Sequence, residues 1–365
     1  MKIGILNETD STENRVALVP ESVKNLAKNK HEIFFQSDCG KIAGFPNEDY
    51  KNSGAKLLEN DIENIDLFIL LKTPKDEIIR KIKNNTTVIA QFNANNNSEA
   101  IGQLSKKKTT LLAMELVPRI ARAQKMDVLS SQASIAGYKS ALMAANHLGK
   151  YLPMMMTAAG TIPPSKILVI GAGVAGLQAI ATSKRLGANV EAFDVRSAAA
   201  EQVESLGAKF LKQEEIEDAE AKGGYAREQT DNEKKLQKEF LKSNLSNIDA
   251  LITTAAIPGK KAPVIITKDM VEAMQPGSVI IDLSAESGGN VEITKPGKII
   301  NHNGVNIHGP INVPSSMAFH ASQLYSRNVM GLLDLILNEN NEINLDFDDE
   351  IIKSTCINSD GKVNI

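Results

Sequence analysis

Cysteine is nearly absent from this sequence, with two residues in 365. Cys39 and Cys356 stand far apart and lack metal-ligand spacing, so neither a disulfide scaffold nor a thiolate metal site is indicated, and a reducing cytosol fits. Histidine is sparse too, and His31, His147, His302, His308 and His320 form no metal-type spacing with another ligand. No apolar run is long enough to cross a bilayer; the short apolar stretch 151–156 is broken by Pro153. The first residues, 1–6, read as a strand and lack the apolar region of a signal peptide. A net charge of −3 shows no strong excess of one sign, so nothing points to nucleic acid or an anionic membrane as a partner. The basic run 106–108 reads as a solvated helix end.

What is present suits a globular rather than a disordered protein. Hydrophobic residues make up 42% and charged residues 23%, and 365 residues favour two domains with sizeable cores. The first third alternates apolar strand-like runs (2–6, 32–35, 67–71, 87–90, 110–114) with helix-like segments (20–28, 47–53, 76–83, 98–106), the pattern of a parallel sheet with crossover helices. A long helix is predicted over 131–148, followed by a loop over 157–165. A second alternating block spans 166–308, with strands at 250–254, 278–283 and 305–308 and helices at 198–206 and 268–274. A long helix is predicted over about 314–338, and the tail 343–365 reads as short strand.

The expected fold is α/β: two Rossmann-like, doubly wound parallel-sheet domains. Two long helices carry the chain out of the first domain and back, with a cleft between domains. Residues 1–130 with 329–365 would form the first domain and 131–328 the nucleotide-binding domain. Two consecutive independent domains are the alternative.

The most informative stretch is the apolar run 166–170 followed by Gly171, Gly173, Val174 and Gly176 and a helical pattern through Leu186. A buried strand that turns on glycines into a helix aims backbone N–H groups and a positive helix end at one point, which suits a diphosphate. Eighteen residues after Gly176 a second strand ends at Asp194. A carboxylate there accepts hydrogen bonds from ribose hydroxyls and repels a 2′-phosphate, so the pattern indicates NAD(H) rather than NADP(H). An ordinary glycine-rich strand–helix turn is the bland alternative.

Two polar stretches stand out. Residues 213–244 carry many charges around Gly223, Gly224, Tyr225 and Arg227, and read either as a lid over a nucleotide or as a solvated helical insertion. Residues 117–132 place Arg119, Arg122, Gln124, Asp127 and Ser130 at a strand end. These groups could meet a nicotinamide carboxamide, with a buried Arg119–Asp127 pair holding the loop; an ordinary polar turn is the alternative.

These same segments resemble a known family. Residues 119–130, 154–164, 171–179, 194–196, 201–207 and 223–226 are similar to the extramembrane NAD(H)-binding component, domain I of the alpha subunit, of proton-translocating NAD(P) transhydrogenase. The likeness continues through 253–258, 276–284, 288–290 and 312–314 and covers nearly the whole chain. A weaker resemblance to alanine dehydrogenase rests on residues 15–20 and 71–74. In that family an arginine and a lysine corresponding to Arg15 and Lys72 hold substrate, and a histidine does acid–base work where this chain has Asn93. Asparagine cannot shuttle a proton near neutral pH. Glu286 stands where the dehydrogenases carry a shorter acid.

The resemblance implies a set of roles. Gln124, Asp127, Arg119 and Ser130 would position the nicotinamide and its ribose. Val174 would pack on the dinucleotide beside Gly171, Gly173 and Gly176. Asp194, Val195 and Arg196 would surround the adenosine ribose. Gly224 and Tyr225 would belong to a mobile loop, with Gln237 at its return, and Ala255 and Ala256 would line the adenine side. The implied reaction is direct hydride transfer from NADH on this chain to NADP+ on a beta subunit, coupled to proton movement in a separate membrane-spanning alpha subunit. The implied assembly is a homodimer, peripheral on the cytoplasmic face of the inner membrane. A soluble amino-acid dehydrogenase and a non-catalytic NAD(H)-binding protein are the competing readings.

Overall fold

The structure, a computed structural model, describes residues 1–8, 10–59, 61–94, 96–213, 230–256 and 259–363. It divides into two units, Met1–Gln132 with Pro314–Ile365, and Ala133–Val313.

The first unit holds an eight-stranded sheet. From one edge to the other its strands are Lys362–Val363, Cys356–Ser359, Thr110–Ala113, Thr87–Gln91, Leu67–Lys72, Lys2–Ile5, Glu32–Phe35 and Lys56–Leu57. The six strands from Thr110–Ala113 to Lys56–Leu57 run parallel. Their central members are apolar runs because helices cover both faces, as in Leu67–Lys72, where every residue but the last is buried. The helix Pro20–Lys28 starts on a proline, whose missing N–H costs nothing at that position.

The helix Ala318–Ile336 lies across this sheet with a buried face that mixes small hydroxyls and large apolar groups. Tyr325 is fully buried and donates to the Leu70 carbonyl at 2.8 Å. Ser322 and Ser326 accept from the Val16 and Val19 N–H groups at 3.0 and 3.2 Å, which satisfies backbone donors that a purely apolar helix face would strand. The tail departs from the strand-only expectation: Glu350–Thr355 is a helix, capped by the Asp349 side chain on the Ile351 N–H. Only then does Cys356–Ser359 pair antiparallel with Thr110–Ala113, where Asn358 Nδ2 donates to the Thr109 carbonyl.

The second unit is a seven-stranded sheet in the order Lys209–Phe210, Asn189–Phe193, Lys166–Ile170, Ala250–Thr253, Val279–Asp282, Val305–His308, Ile299–His302. All pairs are parallel except the final hairpin. The chain builds outward from Lys166–Ile170 on one side, then returns to build outward on the other. Between Lys166–Ile170 and Ala250–Thr253 the order therefore switches, and open parallel sheets bind ligands beyond the carboxyl ends of strands at such a point. The α/β, Rossmann-like class expected from the sequence is thus the class observed.

One local expectation is corrected, and the charged stretch, read as a lid or a helical insertion, contains a helix. Residues 155–162 form a two-stranded ribbon, Met155–Thr157 with Gly160–Ile162, rather than a plain loop. Within the charged stretch, Asp231–Leu245 is a helix opened by a capping box in which Thr230 and Glu233 satisfy each other's backbone N–H groups. Its buried residues Gln237, Leu241 and Leu245 recur every four positions and fix its inward face.

Candidate nucleotide site and its supporting loop

In the second unit, Gly171 leaves the strand Lys166–Ile170 at φ 92°, a backbone conformation that favours glycine. A Cβ there would also press on Thr254 Oγ1 at 2.7 Å. Thr254 fastens the turn from below by donating to the Gly171 carbonyl at 3.0 Å. Gly176 has a different reason: its Cβ would meet the Gly171 carbonyl oxygen, so only glycine lets the helix Val174–Arg185 lie this close to the strand end. Gly173 has neither reason. Its φ of −77° suits any residue, and among the described residues nothing lies within 4 Å of where its Cβ would stand. It is the N-cap of a twelve-residue helix and offers no side chain to the first-turn N–H groups. Among the described residues, the first-turn backbone donors at this positive helix end thus have no side-chain cap. Val174, beside it, is 39% exposed for an aliphatic residue.

The neighbouring strand ends at Asp194, whose carboxylate is tied into the turn. Its Oδ2 accepts from the Ala172 N–H at 2.6 Å and from Arg196 Nη2 at 2.8 Å, while Oδ1 accepts from the Arg196 N–H at 2.9 Å and Nε at 2.8 Å. Val195 is half-buried against the apolar cluster on this face of the sheet. On the other side of the switch point, Ala255 is held by Asn290. Asn290 Oδ1 accepts from the Ala255 N–H at 3.0 Å, and Nδ2 donates to the Ala255 and Pro263 carbonyls at 2.8 and 2.9 Å. Asn290 is fully buried and its own N–H is held by Asp282 at 3.2 Å. Ala256 is exposed. The sequence alone assigns neither Thr254 nor Asn290 a role, although Thr254 directly follows the buried strand Ala250–Thr253 and Asn290 follows two glycines. Gln237 lies buried on the helix Asp231–Leu245, while Gly224 and Tyr225 fall outside the described residues.

The loop that carries Gln124 belongs to the first unit. Residues Ala121–Met126 form a short 3-10 helix that buries Ala123 and Met126 and leaves Gln124 exposed. Three attachments hold it. Asn328 Nδ2 donates to the Lys125 carbonyl at 2.8 Å, Arg122 forms a bidentate pair with Asp349 at 2.5 and 3.0 Å, and Gly331 lets the long helix approach the Lys125 backbone. Asp127 caps the following helix, accepting from the Ser130 N–H at 2.8 Å and from its hydroxyl at 2.6 Å. Arg119 is exposed, so the buried Arg119–Asp127 pair expected from the sequence does not form as such.

The first unit has its own charged cluster at the carboxyl ends of its strands. Arg15 is bound through Nε and Nη2 to Glu13, both at 2.7 Å, and through Nη1 to Gln132 at 2.8 Å. Lys72 pairs with Asp10 at 2.7 Å and approaches Glu13 at 3.5 Å. Asn93 is exposed at φ 44° and donates its N–H to Glu115 at 2.7 Å. In the second unit, Glu286 accepts from the Asn312 N–H at 2.9 Å. Among the described residues, no group of three or more His, Cys, Asp or Glu is arranged to hold a metal ion, and no helix is long and apolar enough to cross a membrane.

Comparison with known proteins is consistent along the whole chain. Residues 4–136 match the alanine dehydrogenase/PNT N-terminal domain family, and residues 140–365 match the corresponding C-terminal domain family. A Rickettsia prowazekii protein named as the first part of NAD(P) transhydrogenase subunit alpha is 44% identical over all of this chain and 96% of its own length. The crystal structure of transhydrogenase from Sinorhizobium meliloti superposes with a TM-score of 0.91 at 40% identity, covering all of both chains. An L-alanine dehydrogenase structure, 22% identical with a TM-score of 0.83 over all of this chain and 97% of its own, shares the fold. The chain belongs to the alanine dehydrogenase/PNT family and, within it, to the alpha-subunit group of the NAD(P) transhydrogenases, which are oxidoreductases.

Proposed function

We propose that this chain binds NAD(H) at the glycine turn of its second unit and holds the nicotinamide for direct hydride exchange with NADP(H) on a partner subunit. The observation that carries this reading is the approach to Gly173 at a helix N-terminus without a side-chain cap, open among the described residues, a glycine that neither their packing nor its backbone geometry requires. A diphosphate fits there because first-turn N–H groups lack intrahelical partners and the helix end is positive. NADH supplies the hydride when bound.

The chain's own residues would bind, orient and exclude. Gly171, Gly173, Val174 and Gly176 form the floor for the diphosphate, and Asp194, Val195 and Arg196 the adenosine-ribose side, with Ala255 and Ala256 opposite. Gln237 is assigned to the same site, as are Gly224 and Tyr225, which lie outside the described residues. Gln124, with Asp127, Ser130 and Arg119, sets the angle of the nicotinamide ring. Positioning is the main catalytic contribution, because donor and acceptor carbons must approach to about 3–3.5 Å with water kept out. No side chain is needed as nucleophile or proton shuttle, which agrees with Asn93 in place of an acid–base histidine.

The partners follow from the same reading: a beta subunit that binds NADP(H), a separate membrane-spanning alpha subunit that carries the proton path, and a second copy of this chain. The name of the Rickettsia relative, which makes it one part of an alpha subunit, supports a divided alpha subunit. A homodimer is supported by the ribbon 155–162 and its approach, where Tyr151, Met154, Met156 and Ile162 are 54, 57, 78 and 43% exposed. The complex would sit on the cytoplasmic face of the inner membrane. Reconstitution with the NADP(H)-binding subunit tests the proposal by following hydride exchange between NADH and an NADP+ analogue. Exchange that requires both proteins is the expected result. NADH oxidation by the chain alone with pyruvate and ammonia, or NADH binding without exchange, would overturn it.

A further inference from the structure

Asp194 is fully engaged from within the chain. A carboxylate offers about four lone-pair positions. Oδ1 accepts from the Arg196 N–H and Nε, and Oδ2 from the Ala172 N–H and Arg196 Nη2, all between 2.6 and 2.9 Å. The side chain of Asp194 is 6% exposed and that of Arg196 is 19% exposed. Two of these donors are backbone groups, fixed by the glycine turn and by the strand end. The other two belong to one guanidinium, whose planar fork matches a carboxylate. A ribose diol is also a pair of donors, and it seeks the same two positions.

We propose that Arg196 is an intramolecular occupant of the ribose position, a positioning residue that competes with the adenosine ribose for Asp194 and so sets how tightly NAD(H) is held. This rests on the nucleotide reading above and changes the role of Arg196 within it from ligand to competitor. The two backbone bonds can stay when nucleotide binds; only the guanidinium must leave. It is the more exposed of the two partners. While the fork is closed the carboxylate is unavailable. The apparent affinity is therefore reduced by the fraction of molecules in which it is open. A charge-assisted bidentate pair keeps that fraction small. Such a competitor tempers the affinity for NAD(H) without losing the Asp194 carboxylate that repels a 2′-phosphate.

The test is equilibrium and stopped-flow titration of NADH into the full chain, wild type against Arg196→Met and Arg196→Lys. Methionine keeps much of the stem and removes the donors. We expect its dissociation constant to fall by about tenfold, with faster uptake. Lysine, a single-point donor without the fork, should fall between. With NADH lacking the adenosine 2′-hydroxyl, the gain on going to methionine should shrink, which a merely structural role for Arg196 would not produce. NADH binding by Arg196→Met that is unchanged or weaker than wild type overturns the inference, because an attractive contact would then have been lost. If the methionine variant does not fold, unchanged or weaker binding by Arg196→Lys decides the matter in the same way. A wild-type chain that takes up no NADH overturns the nucleotide reading itself, and this inference with it.

Discussion

A Cβ on Gly176 would stand 1.7 Å from the carbonyl oxygen of Gly171, and 2.7 Å from its carbon. The helix can rest on the strand end only while position 176 lacks a side chain. Three residues earlier, the same construction on Gly173 meets nothing within 4 Å among the described residues. The two glycines share one motif, but among the described residues only Gly176 has a reason internal to the fold.

Substituting them separately divides stability from binding. Gly176→Ala must displace backbone, and we expect a loss of about 3 kcal/mol or more in urea unfolding. Gly173→Ala adds a methyl group into open space at a helix N-cap, so its stability should fall by about 1 kcal/mol or less. Its NADH affinity, by contrast, should drop steeply, because that methyl occupies the approach of the diphosphate. Titration of folded Gly173→Ala that reproduces wild-type NADH binding would remove the diphosphate from this turn.

Gln124 is exposed on a loop whose neighbours Ala123 and Met126 are buried and whose backbone is pinned by Asn328. A rigid base under an exposed amide is what ring positioning requires. Gln124→Asn keeps the amide and shortens its reach by one methylene. Hydride transfer to the NADP+-bearing partner should slow on the order of 10²-fold, with a change in NADH affinity of only a few-fold. Single-turnover kinetics separates the two. A wild-type transfer rate in the variant would take Gln124 out of its assigned role.

How far the sequence reveals this molecule depends on what kind of signal each element leaves. The turn from Ile170 into Val174 is legible because a buried apolar strand, glycines and an amphipathic helix each leave a local pattern. The ribbon Met155–Thr157 with Gly160–Ile162 leaves none. Its strands are three residues long and mostly exposed, so no alternation develops, and Pro163 and Pro164 read as loop. The helix Asp231–Leu245 does carry its signals, a capping box at Thr230 and Glu233 and a four-residue spacing of Gln237, Leu241 and Leu245, but its charges outnumber them. The helix Glu350–Thr355 is too short for periodicity to register. In the site itself, Asp194 is visible as a strand-end acid. That Arg196 turns back onto it, and that Asn290 reaches across 35 residues to hold Ala255, are facts of side-chain direction that spacing does not encode.

Glu8 left no such trace and carries the clearest pH dependence. It follows the strand Lys2–Ile5 at the point where the first unit's strand order switches. Its carboxylate accepts from the Leu71 N–H at 2.7 Å and, less closely, from the Lys72 N–H at 3.3 Å. Burial pushes its pKa up to about 7, and the nearby Glu13 charge adds to the rise, against the lowering effect of the two backbone donors. The folded chain therefore holds a proton that the unfolded chain has released by pH 7. Folded Glu8 binds more protons than unfolded Glu8 between its ordinary value of 4.5 and about 7, so the stability it contributes is present in full below 4.5 and is lost as pH rises through 7. Glutamine imitates the neutral acid in shape and does not titrate. Urea midpoints of wild type and Glu8→Gln, measured in parallel from pH 4.5 to 8, should diverge with rising pH, the variant gaining by roughly 2–3 kcal/mol and the gap levelling above pH 7. A constant gap across that range would mean that Glu8 is ionised in the folded protein throughout, and that the two backbone donors outweigh its burial.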